Sequence, residues 1–205
     1  MILYIHGAFS TPAMFNYINL KVGGKASFLE YDVFEPLSDT LDRLYKETAN
    51  NEYRAIIGHS LGGIIGYRLL QKGVRAQKLI TMSSPFGGAT PVSWVVHMAR
   101  KSKGLFPLFP MKPEVVRFID FVDNIDKFSP EFKELRLNPV PQAEYYSIVT
   151  NTGKNFMPKD NDYVVTVESQ MSNPASPEYY NMHCAHGEVV LREETVTKIK
   201  EWLRK

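Results

Sequence analysis

An α/β domain built on a mostly parallel sheet is the fold class this 205-residue chain predicts, and three observations predict it. Short apolar runs alternate with amphipathic stretches along most of the chain, the rhythm of strand–helix–strand units. The leading run is apolar at consecutive positions, as a strand covered on both faces must be, and does not alternate as in a half-exposed sheet. A glycine-bounded turn, "GHSLGG" at 58–63, joins one such run to a helical pattern and so reads as a βα junction.

The elements follow in order. Ile2–Ile5 is short and wholly apolar, a first buried strand. A helix is expected over 13–20 and a second strand over 26–33. Ser38 has the chemistry of a helix cap for a helix running to about 50, with Leu41, Leu44 and Tyr45 on one face. A third strand covers 54–57, the helix after it Leu61–Gln71, and a fourth strand Lys78–Met82. Between Gly87 and Pro141 the rhythm breaks into "WVVHMAR", "LFPLFP" and "VVRFIDFV", apolar pieces interrupted by prolines. That stretch is too long for a bare loop and predicts a helical insertion, 88–140, within one domain spanning 1–205. Alternation resumes with a strand over 145–149, a polar loop to Asp162, a short strand over 179–182, and a last helix over 191–203 with Val196, Ile199 and Leu203 on one side.

Composition narrows the function classes. A net charge of +2 with no long Lys/Arg run argues against a nucleic-acid surface. The single cysteine, Cys184, cannot form an internal disulfide and fits a reducing compartment. No 18 consecutive apolar residues occur and "MILYIHG" has no basic n-region, so no transmembrane helix and a cytoplasmic location are expected.

The G-x-S-x-G spacing alone is weak, since chance produces it in about one chain of this length in fifteen. Its position gives it weight. Where a strand turns sharply into a helix, the apex residue is strained and the flanking turns collide unless the positions two before and two after are tiny; Gly58 and Gly62 meet that demand and lift the Ser60 hydroxyl above the sheet. A phosphate-binding turn is the bland alternative, but neither G-x-x-x-x-G-K-[ST] nor G-x-G-x-x-G is present.

Five segments, "YIHGAFS" (4–10), "GHSLGG" (58–63), "TMSSPFGGA" (81–89), "NDYVVTVES" (161–169) and "HGEVVLREETVTKIKEWL" (186–203), together resemble the α/β-hydrolase superfamily, in particular its lipase and esterase branch. The likeness spans nearly the whole chain outside the insertion. It implies an α/β-hydrolase fold with a helical lid or cap, and a triad in the superfamily's nucleophile–acid–base order: Ser60, Asp162, His186. It also implies an oxyanion hole from the backbone N–H groups of Leu61 and Ala8, with Phe9 the alternative to Ala8. One departure stands out: Tyr163 occupies the place where the superfamily usually has glycine after the acid, which bears on the loop's shape.

The competing residues can be weighed. His6 belongs to the His-Gly segment, where the resemblance implies loop shaping. His59 precedes the nucleophile and is expected to pack, and His97 lies in the insertion. His183 and His186 both follow the last strand, but His186 leads directly into the terminal helix. Asp160 competes with Asp162, which immediately precedes the apolar run. His183, Cys184 and His186 as a metal set lack a fourth ligand, and Cys184 as nucleophile lacks an elbow.

The expected activity is cleavage of carboxylic esters, with a small-molecule or lipid ester as partner and no cofactor or metal required. The same triad could serve a thioesterase or acyltransferase. A non-catalytic binding module would be free to lose the triad members, all of which are here. Trp94, Phe106 and Phe109 make the insertion unusually apolar. They pack as ordinary core, form an acyl pocket over Ser60, or contact a membrane surface.

Overall fold

The computed structural model of the protein describes residues 1–33, 35, 37–88, 143–153, 159–175 and 177–205. Its strands are β1 (Ile2–Ile5), β2 (Ala26–Leu29), β3 (Glu52–Tyr53), β4 (Ala55–His59), β5 (Arg75–Ala76), β6 (Lys78–Met82), β7 (Glu144–Thr150) and β8 (Glu178–Met182). Six of them form one sheet in the order β2-β1-β4-β6-β7-β8, and every neighbouring pair is parallel. β3 and β5 pair separately as a two-residue ribbon. The helices are α1 (Asn16–Val22), α2 (Leu37–Thr48), α3 (Leu61–Gln71), α4 (Val167–Met171) and α5 (Glu193–Arg204). The doubly covered parallel sheet is the predicted class.

Both faces of the sheet are apolar because both are covered. Along β1, Leu3 and Ile5 join Leu41, Leu44, Ile64 and Ile65 on the α2/α3 side. Ile2 and Tyr4 join Ile18, Val196, Ile199 and Trp202 on the α1/α5 side. Each such side chain contributes about 1.5–3 kcal/mol by leaving water. The α5 layer is pinned at Trp202, which is wholly buried. Its ring stacks on Tyr146 at 4.9 Å, and its indole N–H donates to Glu178 at 3.0 Å.

Several boundaries differ from expectation for local reasons. β2 stops at Leu29, not 33, because its partner β1 has only four residues to offer, Ile2↔Ala26 through Ile5↔Leu29. The helix expected over 13–20 splits into a 3₁₀ turn at Pro12–Phe15 and then α1, which ends at Gly23 with φ 72°. Ser38 does not cap α2: the helix starts at Leu37, which packs against the core. Ser38 therefore sits in the first turn with its hydroxyl 3.2 Å from Asp39 Oδ1. The expected last helix starts two residues later than 191: a 3₁₀ turn at Glu188–Leu191 and Arg192 in extended conformation precede α5. Helix α4 was not expected; its cap is Thr166, whose hydroxyl accepts the Ser169 N–H.

The expected insertion, 88–140, with Trp94, His97, Phe106 and Phe109, lies outside the described residues apart from Gly88. Among the described residues no helix is long and apolar enough to cross a membrane.

Candidate active site

The site is built where the strands' carboxyl ends meet their loops. β4 ends at His59, α3 starts at Leu61, and Ser60 between them has φ 54° and ψ −124°, a strained backbone conformation for a residue with a side chain. The bend has no spare volume. A Cβ on Gly58 would fall 2.5 Å from the Gly62 carbonyl, and one on Gly62 would fall 2.1 Å from Ile5 O and 2.4 Å from His6 O. The apex is tied to the adjacent strand through the Ser60 N–H, which donates to Met82 O at 2.8 Å.

Asp162 is completely buried. Its Oδ1 accepts the Val164 and Val165 N–H groups at 3.0 and 2.7 Å. Its Oδ2 accepts the Thr150 hydroxyl at 2.6 Å, the Gln170 amide at 3.3 Å and His186 Nδ1 at 2.8 Å. Burial opposes ionisation. The bonds and positive field from His186, with those of Thr150 and Val165, outweigh it and hold the carboxyl below its ordinary value. Because the carboxylate accepts from Nδ1, the neutral His186 ring leaves Nε2 unprotonated. The main chain adds a further tie, the His186 N–H donating to Asp162 O at 3.0 Å.

Ser60 and His186 line one cleft of about 610 Å³ together with Ala8, Ala13, Met14, Val190 and Leu191. The Ser60 hydroxyl and the His186 ring share the cleft without a hydrogen bond between them. Such bonds are often long before substrate arrives. Ala8 thus stands in the cleft wall, and Leu61 supplies the first backbone N–H of α3, a position with no intrahelical acceptor. Phe9 has φ 55° and an exposed ring.

The other candidates fall elsewhere. His183 and Asp160 are exposed. His6 is buried against Tyr31, the rings stacked at 4.4 Å, and its Nδ1 donates to Gly7 O at 2.8 Å. Cys184 is buried, which pushes its thiol up to about 11, far from a thiolate at neutral pH. Tyr163 takes φ 76°, so the loop holds the left-handed turn that glycine would adopt freely.

Thr150 and Gln170, which carry no sequence motif, support the Asp162 carboxylate, and Ser83 of the "TMSSPFGGA" segment in turn lies 2.8 Å from the Thr150 hydroxyl. Gln170 clamps Thr150 at both backbone groups, accepting its N–H at 2.8 Å and donating to its carbonyl at 2.9 Å. His59 is packed as expected but also bonded: its Nε2 lies 2.9 Å from His186 O.

No family model matches the chain, and no curated protein sequence matches it. Solved structures do. A Bacillus licheniformis lipase, BlEst2 in its mature form, superposes with a TM-score of 0.70 at 16% identity, over 98% of this chain and 91% of the other. A carboxylesterase structure from the archaeon Nitrososphaera gargenis gives 0.62 at 16% identity, over 99% and 89%. The NocB thioesterase domain gives 0.58 at 14% identity, over 99% and 92%. The chain has the α/β-hydrolase fold.

Within this α/β-hydrolase fold, Asp162 and the buried imidazoles His59 and His6, the latter also lowered by burial, contribute to the response to acid. A carboxyl held below its ordinary value adds stability that is present above about pH 3.8 and lost as the folded-state value is passed going down. His59 acts in the same direction. Burial, then the neighbouring His186, pushes it from 6.5 down to about 3, so the unfolded chain takes up a proton the folded one refuses. Its contribution is complete above about pH 6.5 and fades toward pH 3. Thermal melting is expected to show a falling Tm between pH 7 and pH 4, with a shallower fall in His59→Gln; parallel profiles would remove His59 as the cause.

Proposed function

We propose that this protein is a serine hydrolase of carboxylic esters acting through an acyl-enzyme. The observation that carries the reading is the buried Asp162 carboxylate, 2.8 Å from His186 Nδ1, with His186 in the wall of the cleft that Ser60 also lines. His186 Nε2 takes the Ser60 proton as Oγ attacks the ester carbonyl carbon. Negative charge develops on the carbonyl oxygen and is met by the N–H groups of Leu61 and Ala8. Collapse of the tetrahedral intermediate breaks the bond to the alkoxide, which leaves with the proton held on His186. Water then attacks the acyl-Ser60 carbonyl, giving its proton to His186, and the carboxylic acid departs as Oγ recovers a proton. Throughout, Asp162 keeps Nδ1 protonated and stabilises the imidazolium without taking the proton itself.

The cleft's apolar side chains, Met14, Val190 and Leu191 among them, suit an acyl or alkyl group better than a charged one. The same steps would cleave a thioester. A fluorophosphonate probe is expected to add to Ser60 in the folded protein, located by peptide mass. A panel of p-nitrophenyl esters and acyl thioesters is expected to give turnover on the esters. No adduct on Ser60 would overturn the reading in favour of a binding module, and turnover on thioesters alone would reassign the substrate class.

A further inference from the structure

Among the described residues, His59 is a buried imidazole that the proposed reaction does not use. It is 5% exposed, its Nε2 lies 2.9 Å from the backbone oxygen of His186, and its ring sits 4.9 Å from that of His186 at 56°. A carbonyl oxygen can only accept, so Nε2 carries the hydrogen. The other ring nitrogen, Nδ1, is buried with no partner. It points toward Gly7, where a Cβ would fall 2.9 Å from it, so the absence of a side chain at position 7 leaves room for the ring. A charged ring would need a second acceptor at Nδ1, and none is there. The arrangement accommodates one state of this imidazole, neutral with its proton on Nε2.

The location gives this bond its meaning. His59 is the residue before Ser60 and the last residue of β4, so it is fixed to the elbow by the chain itself. His186 sits 127 positions away on a loop. Its N–H is held by Asp162 O and its ring by Asp162 Oδ2, but both of those bonds fix it to the acid and not to the nucleophile. Its carbonyl is held by His59.

We infer that His59 is a positioning residue: by donating Nε2–H to the His186 carbonyl, it ties the loop of the base to the nucleophile elbow and sets the separation between His186 and Ser60. The kinetic part of this inference rests on the ester-hydrolase reading; the hydrogen-bond part does not. A misplacement of about 1 Å between reacting groups costs on the order of 100-fold in rate, so loosening this tie has a measurable consequence.

Two variants and one spectrum test it. His59→Leu keeps much of the volume and removes the donor, and is expected to lower kcat about 10- to 100-fold with KM within about threefold, since binding does not use the bond. His59→Gln restores an N–H near the place of Nε2 and is expected to recover kcat to within about threefold of wild type. A His59→Leu enzyme with wild-type kcat, or a His59→Gln enzyme as slow as His59→Leu, overturns the inference. Nitrogen-detected NMR of the wild-type imidazoles, assigned by the signal lost in His59→Gln, reads the tautomer directly. A neutral Nε2–H ring from pH 8 to pH 5 is expected, and an Nδ1–H or charged ring overturns the inference even if His59→Leu fails to fold. If the wild type neither turns over esters nor takes up fluorophosphonate, the hydrolase reading falls, and the tautomer still decides the tie.

Discussion

Replacing Ser60 with alanine is expected to lower kcat on the best p-nitrophenyl ester by about 10⁶-fold and to abolish fluorophosphonate labelling, with Tm nearly unchanged. The size follows from the proposed chemistry, in which the Ser60 oxygen is the atom that bonds to the acyl carbon. The elbow itself survives, because its shape comes from Gly58, Gly62 and the Ser60 N–H bond to Met82 O, none of which involves the hydroxyl. His186→Ala is expected to cost about as much, and the double variant little more than either single one, since nucleophile and base act as a unit. The three rate constants are measured by steady-state kinetics on protein freshly purified away from host esterases. Strictly additive losses would mean that the two residues work independently, and unimpaired turnover in Ser60→Ala would end the proposed mechanism.

Asp162→Asn is the second large effect, expected at about 10⁴-fold in kcat with modest change in KM. An asparagine can still offer an oxygen to the Val164 and Val165 N–H groups. Its amide nitrogen then faces the Thr150 hydroxyl, the Gln170 amide and His186 Nδ1, all of which donate to Oδ2 in the native protein. Donors cannot satisfy donors. The cheapest relief is for His186 to move its proton to Nε2 and accept at Nδ1, which removes the base from the position facing Ser60 chemistry. The same crowding destabilises the fold, so Tm is measured alongside kcat. Loss of activity without a change in His186 tautomer would point to displacement of the loop instead.

The parts of this architecture that depend on neighbours in sequence are legible in the sequence. Ile2–Ile5, Leu61–Gln71 and Lys78–Met82 run as read, because each is an apolar or helical pattern bounded by clear breakers. The bend at Ser60 was readable from two glycines, since its cause is steric and local. A terminal helix behind His186 and an apolar run behind Asp162 set them apart from His183 and Asp160 in sequence; the first two pair at 2.8 Å and the other two are exposed. What escaped notice is cooperative over distance. Thr150 and Gln170 serve the carboxylate from 12 and 8 positions away, and only strand order brings them to it. The bond of His59 spans 127 positions and leaves no trace in spacing. β2 was overextended because the length of its partner, not its own composition, decides where pairing stops.

The order of the strands has one more implication. Among the described residues β8 closes one end of the sheet, hydrogen-bonded to β7 on a single side, and His186 lies on the loop that leaves its end at Met182. Terminal strands detach at lower free energy than central ones. Ser60, rooted in the middle of the sheet, stays put through such fraying, whereas the loop of His186 is caught between that margin and its ties to Asp162 and His59. On the proposed mechanism, loss of activity is therefore expected to come before global unfolding, and reinforcement at that border to prolong activity more than a tighter interior would.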